Sequence, residues 1–397
     1  MNTNSSAWSI FLIFFKLGLT SFGGPIAHLG YFREEFVVKR QWLNEQAYAD
    51  WVALCQFLPG PASSQLGIAL GLMRGGYMGA LMAWLGFTLP SALFLIFCAL
   101  SLSNDIYAVP TAVLHGFKIA AVAIVAQAVW GMASKLCRTV PTVSIMLISA
   151  CLVLWLPVVW LPVAVILVMA MAGAILFSPA QPMYSDIAMV SPITKNTGAI
   201  WLALFVLGLL GLPILATLFP HQNIAVMDAF YRSGSLVFGG GHVVLPLLQS
   251  ETVAAHWVSN DVFLAGYGLA QMVPGPLFTF AAFLGASMND MGSAWLGGLT
   301  ALLAIFLPSF LLVFGVLPFW QQLRHYRQMQ GALVAVNAAV VGILLAALYQ
   351  PVWTSAIVHA KDFSLALAAF VALVFWRLPS WLVVSATGLL AWVMTFF

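Results

Sequence analysis

A six-residue stretch ending in Pro-Gly-Pro occurs twice, as Gln56-Phe57-Leu58-Pro59-Gly60-Pro61 and as Gln271-Met272-Val273-Pro274-Gly275-Pro276. Each copy lies inside an apolar run long enough to enter a membrane. Two prolines around a glycine remove two backbone donors and stop an α-helix. In hydrocarbon the freed carbonyls need partners, so such a break survives only where protein or a water-filled cavity surrounds it. The second proline suits the first position of a new helix, expected to begin at Ala62-Ser63-Ser64 and at Leu277-Phe278-Thr279. The free amides of that helix carry partial positive charge toward the break, a place for an anion. One such break could merely kink a helix. Two at matched places point to a substrate site.

Composition sets the class. Of 397 residues, 63% are hydrophobic and 6% charged, and the mean hydropathy is +1.03. This is an all-α polytopic membrane protein whose solvent is the lipid bilayer. The net charge of +3 is too small and dispersed for nucleic acid. Cys55, Cys98, Cys137 and Cys151 lack metal-ligand spacing and read as core residues. No cofactor or metal is expected. The Trp8–Thr20 run lacks a basic flank and a small-residue cleavage site, so it is expected to be retained.

The halves form an internal repeat. Phe22-Gly23-Gly24 answers to Phe238-Gly239-Gly240, Trp42 to Trp257, and Leu89-Pro90-Ser91 to Leu307-Pro308-Ser309. The apolar run at Gly198–Phe219 has no counterpart. The chain therefore divides into an N-terminal repeat (1–196), a connecting span (197–220) and a C-terminal repeat (221–397). One extra span inverts the half that comes after it, so the expected fold is two inverted-topology halves with broken or re-entrant helices at the Pro-Gly-Pro motifs. If every run crosses, Lys and Arg divide about seven to four between the two faces, a weak bias. If the first segment and the Pro-Gly-Pro segment of each half dip in and return, Arg33, Lys39, Arg40, Arg74, Lys135, Arg138, Lys195, Arg324, Arg327 and Arg377 share one face and Lys361 lies opposite. The positive-inside rule favours the second arrangement and makes the basic face cytoplasmic.

Lys16, Lys118 and Arg232 remain inside apolar runs, where a charge costs several kcal/mol unless paired or hydrated. Lys16 and Arg232 hold the same repeat position, six residues before Phe22 and Phe238. That match makes both candidates for holding an anion; a snorkelling anchor is the alternative for Lys16. Asp50 and Asp228 fall near segment ends and are expected to be solvated. Gly23, Gly24, Gly239 and Gly240 allow close backbone approach and free amide donors, or else tight helix packing. Thr20, Ser21, Ser63, Ser64 and Thr279 place hydroxyls beside the breaks, where many such groups bond back to their own helix. The candidate substrate site therefore comprises Lys16, Ser21, Gly23, Gly24, Gln56, Pro59, Gly60, Pro61, Ser63, Arg232, Gly239, Gly240, Gln271, Pro274, Gly275 and Pro276.

The duplicated Phe-Gly-Gly, Trp42-Leu43 and Gln56-x-x-Pro59-Gly60-Pro61 elements, repeated at 238–240, 257 and 271–276, resemble the chromate ion transporter family in its long two-domain form. The resemblance implies export of chromate across the bacterial inner membrane, with sulfate as its structural analogue, and hence chromate resistance. Pro25 after the first Phe-Gly-Gly becomes Gly241 after the second, so the two copies are expected to do different work. Uptake or exchange of sulfate or another oxyanion, or a slow anion channel, are the alternatives; a homodimer is compatible with the sequence. An enzyme would need clustered acids, histidines or metal ligands, and the sequence shows none. With no carboxylate firmly at mid-membrane, the expected driving force is membrane potential, with His28 or His242 at most modifying it.

Overall fold

The computed structural model describes residues 6–103, 110–156, 158, 160–177, 191–238, 240–288, 291–324 and 326–396, and among them every regular element is helical. The first repeat opens with two short helices, α1 (Ala7–Thr20) and α2 (Gly24–Arg33). The 14 residues of α1 span about 21 Å, short of a bilayer core of about 30 Å. The pair folds back on itself, because Phe14 of α1 meets Phe32 of α2 with ring centroids 5.6 Å apart. Next come α3 (Glu45–Phe57) and α4 (Ala62–Ser103), parted at Leu58-Pro59-Gly60-Pro61. Non-helical backbone at Gly75 and Gly76 divides α4 into two arms. The Arg74 guanidinium, at the end of the first arm, lies 4.8 Å from the centre of the Trp42 ring, just ahead of α3. The end of that arm has thus returned to the level where α3 began. The second arm runs back along the first: a Cβ on Gly79 would stand 2.2 Å from the Gly71 carbonyl oxygen. Both broken pairs fold back as hairpins, the shape that the re-entrant reading of the charges requires.

Three helices complete the repeat: α5 (Thr111–Leu136), α6 (Val140–Trp155) and α7 (Leu161–Leu176). The unmatched span is α8 (Lys195–Leu218), whose apolar window is 0% buried, as expected of a peripheral helix bathed in lipid.

The second repeat follows the same plan with α9 (Gln222–Ser235), α10 (Val244–Thr252), α11 (Asn260–Met272), α12 (Phe280–Ala286) and α13 (Ala294–Val316). Beyond these lie α14 (Trp320–Leu323), α15 (Arg327–Ala347), α16 (Thr354–Ala356), α17 (Ala360–Val374) and α18 (Ser380–Val393). The second arm of α4 and α13 are repeat equivalents, each carrying a Leu-Pro-Ser element. They lie antiparallel: Tyr77, opening the α4 arm, meets Phe314, near the end of α13, with centroids 5.0 Å apart. At the opposite ends, Ile96 packs at Gly298. The repeats therefore run in opposite senses through the membrane.

The halves also interlock. Helix α5 packs against α17 and α18 of the other repeat, and α15 packs against α6 and α7. Glycines allow these close approaches: a Cβ on Gly116 would meet Gly388 at 2.7 Å, and one on Gly331 would meet the Gly173 carbonyl at 2.5 Å. Between lipid-immersed helices, small residues and close packing replace the hydrophobic drive that water supplies elsewhere.

Candidate functional site: the crossing of the four breaks

The breaks meet across the repeat boundary. The Gly60 amide donates to the Val237 carbonyl at 2.7 Å, and the Gly275 amide donates to the Ser21 carbonyl at 3.0 Å. Ser21 and Val237 are equivalent positions, each directly before Phe-Gly-Gly. Each proline break thus answers a carbonyl freed at the other repeat's glycine break, which removes part of the penalty of irregular backbone at membrane depth. Gly60 and Gly275 have φ of +122° and +103°, a region open essentially to glycine. Space is short as well. A Cβ on Gly60 would stand 2.6 Å from Gln65 Nε2 and 3.0 Å from Ser309 Oγ; one on Gly275 would stand 2.9 Å from Ser91 Oγ.

The two breaks differ in polarity. At the first, Gln65 Nε2 donates to the Pro59 carbonyl at 2.6 Å, and His28 Nδ1 lies 3.3 Å from Ser63 Oγ. Gln65 Oε1, Ser21 Oγ, Ser64 Oγ and Ser309 Oγ are buried with no hydrogen-bond partner among the described residues. At the second, Phe278 and Phe280 replace Ser63 and Gln65 in the repeat register. There the Thr279 hydroxyl donates to the Pro276 carbonyl at 2.7 Å, and His242 Nδ1 lies 2.8 Å from the Tyr267 hydroxyl. A buried polar group left unpaired costs about 1–3 kcal/mol. Ser64 lies in the first turn of α4, whose first amides also lack intrahelical acceptors, and its hydroxyl, with those of Ser21 and Ser309, offers donors suited to an oxyanion, whereas Gln65 Oε1 can only accept.

The sequence-derived site residues scatter more widely than the crossing itself. Ser21, Pro59, Gly60, Pro61 and Ser63 belong to it, with Gly275 and Pro276 from the other half. Gly23 and Gly24 turn α1 into α2, Gly240 turns α9 toward α10, and Gly239 lies outside the described residues. Pro274 is half-buried beside Gly275, and Gln271 accepts from the Ser380 hydroxyl through its carbonyl at 2.9 Å. Gln56 is exposed at the inner end of α3. An amide there is tolerable where water reaches it, not in hydrocarbon.

The matched cations part company. Lys16 is exposed on α1. Arg232 is buried and already held by two carboxylates, contrary to the expectation of a free anion clamp. Its Nε and Nη2 donate to Asp228 Oδ1 and Oδ2 at 2.9 and 2.8 Å. Its Nη1 and Nη2 donate to Glu251 Oε1 and Oε2 at 2.8 and 3.0 Å. The Trp160 ring covers its face at 4.2 Å. Asp228 and Asp50, expected to be solvated, are buried too, at 6% and 4% exposure. Lys118 is paired with Asp261 at 2.8 Å in a separate cleft of about 710 Å³ that also receives His115 and Lys361. Gln65 and Ser309 escaped notice in the sequence. The Leu-Pro-Ser match contained the signal for Ser309, but Gln65 has no repeat counterpart to single it out.

Inverted repeats with half-membrane helices whose breaks converge on an interior polar cluster define a polytopic membrane transporter. The sequence pattern of the chromate transporter family matches residues 8–176 and again 224–392, so the chain belongs to that family. As a member it is a transporter and not an enzyme. It is 26% identical over 351 residues to an uncharacterized transporter of Methanocaldococcus jannaschii, covering 86% of this chain and 84% of that protein. It is 28% identical to a probable chromate transport protein of Synechococcus elongatus, covering 84% and 82%. With a chromate transport protein of Pseudomonas aeruginosa the identity is 27%, over 84% of this chain and 78% of that one. No solved structure matches the chain.

Proposed function

We propose that this protein carries chromate out of the bacterial cytoplasm across the inner membrane and so confers chromate resistance, with the oxyanion held at the crossing of the four breaks. The observation that carries this reading is the group of unpaired buried hydroxyls around Gly60, beside the start of α4. These groups, with helix amides, can replace the hydration shell of a tetrahedral dianion without a full positive charge that would trap it. Membership of the chromate transporter family and relatives named as chromate transport proteins supply the substrate. Sulfate, of the same charge and shape, is the natural competitor, and its uptake or exchange is the second reading.

The direction follows from electrostatics. A cytoplasm negative by about 100 mV drives each elementary negative charge outward with roughly 2.3 kcal/mol. A dianion gains about 4.6 kcal/mol, against about 1.4 kcal/mol opposing it for each tenfold gradient. The deciding experiment is uptake of radiolabelled chromate into inverted and right-side-out membrane vesicles. Accumulation in energised inverted vesicles, reduced by excess sulfate, is expected. Accumulation only in right-side-out vesicles would reverse the direction, and none in either would refute the transport reading.

A further inference from the structure

We propose that Asp228, Arg232 and Glu251 form a proton-binding site that couples proton movement to oxyanion transport, an inference that rests on the transport reading above. Two carboxylates share one guanidinium, so the cluster carries one net negative charge. The side chains are nonetheless only 9%, 9% and 15% exposed. A net charge buried at a membrane-embedded hairpin is costly, and one bound proton cancels it. Four of the five guanidinium N–H groups are taken and Trp160 covers the ring face, so the cluster has little to offer an incoming anion. Its own charge would repel one. The ligand it suits is a cation, and the occupied carboxylate oxygens favour the smallest.

Among the described residues, the other acids and bases on the elements packed against α9 and α10 are four. Helices α8, α11, α13 and α15 and the turn Gly241–Val243 make these contacts. Lys195 and Arg327 stand at the first positions of α8 and α15, Asp261 of α11 is paired with Lys118, and His242 of the turn lies against the Tyr267 hydroxyl. The first repeat lacks the site. Leu12, Lys16 and Glu35 hold the equivalent positions, Lys16 is exposed, and Glu35 accepts from Arg40 Nε at 2.6 Å instead. One chain therefore holds one such site.

A mechanical link to the substrate is built in. Helix α9 carries Asp228 and Arg232 and leads directly to Val237, whose carbonyl accepts from the Gly60 amide at the donor-rich break. Glu251 sits on the returning arm, α10. Protonating a carboxylate weakens the tie between the arms, and the apex that would then move is bonded to the substrate pocket.

The test uses the full-length protein in proteoliposomes with the membrane potential clamped at zero. Radiolabelled chromate is followed both as net flux under an imposed pH gradient and as counterflow against unlabelled chromate. Wild-type net flux should change several-fold with the pH gradient. Glu251→Gln, which leaves a neutral Arg232–Asp228 pair, should lose that response while counterflow remains measurable. Should Glu251→Gln not fold, Asp228→Asn leaves an equivalent pair and carries the same comparison. A variant that keeps the pH response, or loses counterflow along with it, overturns the assignment. So does a flux that follows a sodium gradient and ignores protons. Absence of wild-type counterflow would strike the transport reading itself, whereas counterflow without a pH response strikes only the proton site.

Discussion

Gly60 of the first repeat faces Ser309 of the second so closely that a Cβ on the glycine would stand 3.0 Å from the serine hydroxyl oxygen. The equivalent pair, Gly275 and Ser91, repeats the relationship at 2.9 Å. Each Leu-Pro-Ser element therefore delivers its serine to the break of the opposite half. This reciprocity explains why the Pro-Gly-Pro motif is duplicated: neither break is complete without the other repeat.

Gly60→Ala and Gly275→Ala are each expected to lower chromate flux at least tenfold, about 1.4 kcal/mol or more, and to lower the melting temperature. Backbone strain at these φ values costs about 1–3 kcal/mol for a residue bearing a Cβ. Adding Ser309→Gly to Gly60→Ala relieves a contact but not the backbone strain, so it should not restore flux. Flux and thermal unfolding of the purified variants decide the point. Wild-type flux in both single variants would mean that substrate does not pass the crossing.

The polarity of the first break yields a second expectation. Gln65→Glu preserves shape but sets a negative charge beside the proposed anion pocket. Like charges about 4 Å apart in an effective dielectric near 20 repel by about 4 kcal/mol. Chromate affinity should fall more than tenfold in Gln65→Glu and less in Gln65→Leu, which removes only hydrogen-bonding capacity. Concentration dependence of counterflow measures both. Equal losses in the two variants would show that Gln65 acts through packing.

The matched cations should now behave differently. Lys16→Ala, at an exposed position, should transport close to wild type. Arg232→Ala leaves Asp228 and Glu251 buried without a partner, and breaking such a buried pair costs about 3–5 kcal/mol. Arg232→Ala should accordingly express poorly or unfold at markedly lower temperature. Arg232→Lys should rescue only part of this loss, because an ammonium cannot reproduce two forked contacts. Membrane-fraction yield and thermal unfolding are the readouts. A stable Arg232→Ala protein would show that the cluster contributes little to the fold.

A repeat discloses equivalence and withholds contact, which is why the fold was more legible in the sequence than the site. Phe22 and Phe238, Pro59 and Pro274, and Ser91 and Ser309 could be aligned, and the unmatched span between the copies foretold their inversion. Similarity between copies says nothing of contact between them, so the bonds from Gly60 to Val237 and from Gly275 to Ser21 were invisible. Equivalence of position also concealed difference of surroundings. Lys16 and Arg232 share a register, but Asp228 has Leu12 as its counterpart, and Glu35, which matches Glu251, is taken by Arg40. Asp228 looked solvated because it lies near a segment end; the packing of α8, α10 and α13 around α9 buries that helix. Gln65 lay in plain view with nothing in the linear chain to mark it.

The re-entrant arrangement itself gives the last expectation. Single cysteines at Gln46 in α3, at Met78 just past the glycine turn of α4, and at Ala254 after α10 all stand at exposed positions. If α3 and the first arm of α4 dip in and return, Gln46→Cys and Met78→Cys are labelled from the same side by a membrane-impermeant thiol reagent. A crossing pair would place them on opposite sides. Inversion of the repeats puts Ala254→Cys on the other side, because the loop after α10 is the counterpart of the loop after α2. The basic residues near the first two sites, Arg33, Lys39, Arg40 and Arg74, make that side cytoplasmic. The background replaces all four native cysteines, of which Cys55 is buried and takes the smallest substitution, Cys55→Ala. In intact cells only Ala254→Cys should react, and in inverted vesicles only the other two. Reaction of Met78→Cys from outside would exclude the hairpin, and reaction of Ala254→Cys together with Gln46→Cys would exclude the inversion.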